Sequence, residues 1–463
     1  MTISNETNKE MLCLLHSHLK RDHQKAFKMC LDAKGGYDND VKELLITEHF
    51  WEALEHGLEM EYFLTLEELE WKEKELKVLP EVVGKLVNLK RLDLWGNKLK
   101  TLPESIGNLT NLEHLSLGIN KLTELPASIG NLTNLKTFNA LWNRLTSLPF
   151  EIGRLSKLED LDIHENKLTV LPESIGALHN LKELDFYDNL IEELPSSLGG
   201  LVNLEKLAMG KNKFSAIPDE LFELKKLKEW TFVKTRVETI SPRIGELTNL
   251  RILHFSQSRV REIPDEIGKL SKLEYLGIGY NKLKNIPTTI GQLSALKYLY
   301  MRGNKLTEIP TEIGKLINLE SLEISSNKLK ALPTEIGQLV NLEEFVISFN
   351  KLTTLPEEIG KLTKLDTLDV ENNQLTSIPV KIAALSNVHT LVLRNNEFIE
   401  LNEGVTKFNS LRLLICDHNP LTTIPDDLAL LPNLSELMLW HCPMSDEEKE
   451  RIKKLLPNCE VAY

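Results

Sequence analysis

Leucine recurs along most of this chain with a spacing that neither one long helix nor one alternating strand would produce. From Leu89 to Asn111 the sequence reads LKRLDLWGNKLKTLPESIGNLTN, and the next such unit begins at Leu112. The same 23-residue spacing then runs without insertion or deletion to Leu434, and a degenerate copy begins at Leu66, giving seventeen units. A fixed period in this range means that each copy is one small structural unit stacked on the last. Within a copy, LxxLxL reads as a short strand whose leucines point inward, and PxxIGxL reads as a short helical segment.

The composite pattern LxxLxLxxNxLxx(L/I)PxxIGxLxN covers about four-fifths of the chain and resembles the leucine-rich repeat. Its PxxIGxL half is similar to the 23-residue class of bacterial, notably spirochaete, proteins and of Ras-group and Scribble-type relatives. The resemblance implies an α/β solenoid, or horseshoe, with a parallel concave β-sheet, short convex helical or 3-10 segments and helical end caps. It also implies a protein that binds other proteins. The expected boundaries are a helical N-terminal cap over 1–65, repeats over 66–444, and a C-terminal helix and short strand over 445–463.

The polar positions of the repeat have structural explanations. Asn stands ninth in thirteen of the seventeen copies, as at Asn97 and Asn120. In the resembled family its amide bonds backbone groups of neighbouring turns, meeting the demand that buried backbone be satisfied. Pro103 and its equivalents suit the first turn of a short helix, and acidic residues follow where a helix start favours negative charge. The second position alternates in sign along Lys90, Glu113, Lys136 and Glu159, which predicts cross-strand charge pairs. A basic row follows the Asn, through Lys98, Lys121 and Arg144, and reads as a solvated rim. Two consecutive copies carry Thr235 and Ser258 in place of Asn, with Phe222 replacing a Gly nearby. From Lys225 to Arg261 there are nine Lys or Arg against three Glu. That stretch is either drift, with hydroxyls substituting for the amide, or a basic patch.

Outside the repeats, Met11–Leu31 predicts one amphipathic helix, broken by Gly35 and Gly36. Asp40 is the expected N-cap of a second helix running on from Val41. Cys13, His16, His18, His23 and Cys30 are close in sequence, but ligands seven residues apart on a helix lie roughly 10 Å apart, too far for one zinc ion. No metal and no cofactor is expected. At the other end Ser445 reads as the N-cap of a closing helix, CEVAY as a last strand, and Cys459 as a buried cysteine.

The formal net charge of −13 argues against nucleic acid as the main ligand. No segment approaches the roughly 18 apolar residues needed to span a bilayer. Five cysteines at the two ends fit reduced thiols, and no signal-peptide core is visible, so a cytoplasmic monomer is expected, with non-classical export as the alternative. Sequence signatures of catalysis are lacking, and Cys416 occupies an inward leucine position, wrong for a nucleophile.

Function should therefore reside in positions three, five, seven and eight, which face out of the sheet. Tyr275, Tyr280, Tyr298 and Tyr300 fall there in two adjacent copies, with Arg302 beside them and Phe349 as an extension. These are residue types enriched at interface hot spots. A second group comprises Trp95, Ile119, Leu141 and Trp142, with His114, His164 and Tyr187 adjacent. A third comprises Leu413, Ile415, Met438 and Trp440. The expected function is a non-enzymatic scaffold that binds a protein or peptide on the concave face. The alternatives are a bacterial effector or surface protein engaging host proteins, and the substrate-recognition part of an enzyme complex.

Overall fold

The computed structural model describes residues 3–463, which divide into two compact units, 3–190 and 191–463. The first unit opens with five helices: α1 (Asn5–Leu15), α2 (Lys20–Asp32), α3 (Asn39–Thr47), α4 (Phe50–His56) and α5 (Met60–Phe63). Strands of three residues follow, from Glu68–Glu70 to Glu183–Asp185 in the first unit and from Lys206–Ala208 to Glu460–Ala462 in the second. Within each unit successive strands pair in parallel, in register at the fourth repeat position, as in Leu69↔Leu92 and Leu276↔Leu299.

This pairing follows from the leucine pattern. In the copy from Leu89, six apolar side chains (Leu89, Leu92, Leu94, Leu99, Ile106 and Leu109) are 0% exposed. Fully burying such a side chain is worth about 1.5–3 kcal/mol, and each copy supplies half of its neighbour's interior. The Asn row closes the turn after each strand. Asn304 Nδ2 donates to the carbonyls of Ile278 and Met301, and its Oδ1 accepts the amide of Leu283. The charge pairs predicted at position two form along the strand edge: Lys90–Glu67 at 2.9 Å, Lys182–Glu159 at 2.7 Å and Lys228–Glu205 at 2.6 Å.

Several expectations need correction. Met11–Leu31 is two helices, not one, because the chain turns at His16–Leu19. There the Ser17 hydroxyl accepts the Leu19 amide and donates to Asp22, while the His16 ring bonds the Leu12 carbonyl. Asp38, not Asp40, caps the next helix, accepting the Val41 amide at 3.1 Å, and that segment is broken again before Phe50 and at Gly57. The repeat prolines stand one residue before the first turn, except Pro242, which opens it. Pro103 is extended (φ −72°, ψ 151°) and its carbonyl accepts the Ile106 amide, so it caps a five-residue 3-10 segment, Glu104–Asn108. Cys459 is half-buried, though its surroundings still push its thiol up to about 11, mainly by desolvation.

At the ends, Phe50 and Trp51 pack against Trp71 with ring centroids 4.9 and 5.6 Å apart. The closing helix Asp446–Leu455 is capped by Ser445, whose hydroxyl accepts the Glu448 amide. The CEVAY strand pairs with Glu436–Met438.

Candidate functional site: the outward face of the strands

Position eight, just beyond each strand, is where the chain makes its sharpest turn. It is left-handed in copy after copy, at Ile119, Trp142, Glu165, Asp188, Tyr280 and Phe349 with φ between 51° and 54°. Non-glycine residues seldom adopt this region. It is held here because the amide of position eight still bonds the next strand, as Ile119 N to Leu141 O and Phe349 N to Glu371 O. The conformation turns each of these side chains outward, so a bulky residue at position eight stands exposed: Trp142 51%, Tyr280 47%, Phe349 48%.

In the second unit the structure brings three of the four tyrosines together, while Tyr280 pairs with Arg302 instead. Tyr275 lies 5.4 Å from Tyr300 and 6.5 Å from Tyr298, centroid to centroid, and the His254 ring meets Tyr275 edge-on at 5.5 Å. Glycines make room for these rings. A Cβ on Gly277 would stand 2.6 Å from the His254 ring and 2.9 Å from that of Tyr275, and one on Gly303 would stand 2.6 Å from Tyr280. Arg302 lies over the Tyr280 ring at 5.7 Å and reaches Glu323 at 3.4 Å. The Tyr298 hydroxyl donates to Glu320 at 2.9 Å, a bond that holds its pKa above the ordinary value. Burial raises the pKa of Tyr275 and lowers that of His254. Tyr275 and Tyr300 are half-buried and Tyr298 stands exposed, so these three rings make a floor already assembled on the strand face. Phe349 makes no ring contact with them among the described residues. Gly303 and Ser326 intervene along the position-eight row.

In the first unit Trp95 lies flat on the next copy, where a Cβ on Gly118 would stand 2.4 Å from its ring. Ile119 and Trp142 are exposed beside it, and His114 Nδ1 pairs with the Thr137 hydroxyl at 2.9 Å. The helical rings engage Trp71, and among the described residues none makes a ring contact with Trp95. Tyr187 is half-buried and its amide bonds Asp185. Of the third group, Leu413, Ile415 and Met438 are half-buried and Trp440 is 50% exposed.

His164 has a different setting from the one expected. Its Nδ1 lies 2.6 Å from Asp162 and 3.9 Å from Asp185. Among the described residues these three form the one His/Cys/Asp/Glu cluster with metal-ligating spacing. The sequence hides it, because the residues belong to two copies and each Asp reads as one more face charge. Of the N-terminal His and Cys residues, His23 bonds Ser17 O and Cys30 is buried against Met11, as His49 nearby bonds Leu15 O, while Cys13 and His18 are exposed.

The basic stretch from Lys225 to Arg261 is largely paired. Arg243 bonds Glu223 and Glu246, Lys225 bonds Glu246, and Arg261 bonds Glu238. The hydroxyls of Thr235 and Ser258 meet at 2.9 Å in the ladder's place. Phe222 packs against Trp230 in an aromatic core continued by Phe232 and Phe255. Cys416 is fully buried, which raises its thiol pKa well above the usual value. It cannot serve as an exposed nucleophile. Among the described residues no helix is long and apolar enough to cross a membrane.

Comparison with known proteins places these features in context. The family described as "leucine-rich repeat region" matches residues 58–147, 140–239, 234–302 and 290–374. A leucine-rich repeat protein of Leptospira interrogans is 35% identical over 89% of this chain and 98% of its own, with a TM-score of 0.71. A plant peptide hormone receptor, solved in complex with the peptide RGF2, is 27% identical over 82% of this chain and 75% of its own, TM-score 0.62. The leucine-rich repeat ectodomain of an Arabidopsis thaliana receptor kinase, solved with Casparian strip integrity factor 2, is 28% identical over 83% and 54%, TM-score 0.55. None of the curated proteins matches the sequence.

Proposed function

Because this chain belongs to the leucine-rich repeat family, we propose that it is a non-enzymatic scaffold whose outward strand face grips a protein or extended peptide. The tyrosine floor of the second unit is the centre of that grip. The carrying observation is the ring cluster of Tyr275, Tyr298 and Tyr300, with Tyr280 in the same copy as Tyr275 and Arg302 over its ring. Half-buried aromatic rings offer large contact area with little rotamer freedom left to lose, the property that makes tyrosine and arginine dominant at interfaces. The similar plant peptide hormone receptor, solved with RGF2, supports this class of partner.

The Trp95 and Trp142 group of the first unit and Phe349 of the second are secondary contacts on the same kind of face. Catalysis has no support in this arrangement: the buried Cys416 is no nucleophile, and burial raises the pKa of Tyr275 and the Glu320 hydrogen bond that of Tyr298.

The test is affinity capture with the intact chain and with Tyr275, Tyr298 and Tyr300 all changed to alanine. The expected result is loss of the captured partner, with the urea unfolding midpoint little changed because these side chains are not core. A partner retained at full strength by the variant would remove the tyrosine floor from the interface.

A further inference from the structure

We propose that Asp162, His164 and Asp185 form a binding site for a divalent cation of the zinc type, open on the outward strand face of the first unit. Asp162 and Asp185 are directly opposed partners of adjacent parallel strands, at position five of their copies. His164 follows two residues after Asp162 at position seven, so all three side chains stand on one face. One ligand atom from each lies within 4.8 Å of the others. Zinc holds imidazole nitrogen and carboxylate oxygen at about 2.0–2.2 Å, so a tetrahedral site has ligand atoms about 3.4 Å apart. The observed 2.6 Å from His164 Nδ1 to Asp162 Oδ1 and 3.9 Å to Asp185 Oδ2 bracket that value.

The surroundings hold the ligands in place. Asp162 Oδ1 accepts the His164 amide at 3.2 Å, and Asp185 accepts the Tyr187 amide at 2.9 Å through Oδ1. Asn139 Nδ2 donates to Asp162 Oδ2 at 3.3 Å. Such supporting bonds orient metal ligands and tune their affinity. Asp185 Oδ2, by contrast, accepts no hydrogen bond from a protein donor among the described residues, which leaves it available to a cation. Magnesium and calcium favour all-oxygen sites, whereas an imidazole with two carboxylates suits zinc, cobalt or nickel. Three protein ligands leave one position facing solvent, where water or a carboxylate or imidazole of another molecule completes the shell.

The experiment uses the full chain, stripped with a chelator and exchanged into metal-free buffer. Zn²⁺ is titrated by calorimetry, and Co²⁺ by its visible absorption. The proposal expects saturation at one equivalent per chain, weakened by about tenfold or more in His164→Gln and in Asp185→Asn. Asp185→Asn keeps the Oδ1 that accepts the Tyr187 amide, so folding is preserved, which circular dichroism verifies. Absence of a saturable equivalent, or unchanged affinity in both folded variants, would overturn the site.

Discussion

Asn304 satisfies three backbone groups with one carboxamide, at distances of 3.0 to 3.1 Å. Where the ladder changes to hydroxyls, this service is incomplete. By the register of Leu99 with Asn120 and Val260 with Asn281, the Val237 amide should be accepted at residue 258 and the Phe214 amide at residue 235. Ser258 is too short to reach: its hydroxyl contacts Thr235 and the Phe232 carbonyl at 3.4 Å, and neither Val237 nor Phe214 finds an acceptor among the described residues. A buried unmet amide costs about 1–3 kcal/mol. Ser258→Asn is therefore expected to stabilise the chain by roughly 1 kcal/mol, read as a higher urea midpoint, with slower hydrogen exchange at Val237. Lower stability in that variant would show that the hydroxyl pair is the better solution. The substitution was visible in the sequence, but its consequence was not. The missing acceptor is known only once the reach of each side chain is measured. The left-handed turn at position eight was likewise hidden, since Trp142, Tyr280 and Phe349 are not residues that advertise positive φ.

Among elements, the strands and 3-10 segments were legible because seventeen copies repeat one apolar pattern and average out local exceptions. The single-copy helical ends had no such averaging. The break after His16 depends on the Ser17 hydroxyl linking Leu19 and Asp22, a polar contact that helical periodicity does not register. The C-terminal helix was readable from Ser445 and its acidic first turn, but its tether was not. Glu448 accepts hydrogen bonds from Arg451, from the Thr423 hydroxyl at 2.8 Å and from the Ile424 amide at 3.2 Å. These hold its carboxyl down to about 2 from an ordinary 4.5, the Arg451 bond contributing most. A depressed folded-state pKa means that the stabilisation is complete above the ordinary value and is lost as pH falls through the depressed one. Pepsin cleavage within 446–456 should therefore rise as pH is lowered from about 4.5 toward 2, and Glu448→Gln should flatten that dependence. A helix equally resistant at both ends of this range would show that the tether does not depend on ionised Glu448.

For the molecule as a whole, the inward positions are committed to stacking and much of the charge to neighbouring copies. The net charge of −13 thus need not reflect a basic partner, because acidic residues begin many 3-10 segments and pair along the strand edge. What is left free to vary is the outward face, where the aromatic residues stand. The central claim is that a partner lies there rather than on the 3-10 side. Site-specific photo-crosslinking tests it most directly, with a benzophenone amino acid placed at Tyr280 or Phe349 on the strand face and at Phe150 or Val380 in the 3-10 segments. All four positions are exposed. The account predicts crosslinks to the captured partner from Tyr280 and Phe349 and none from Phe150 or Val380; crosslinks from Phe150 and Val380 alone would contradict it.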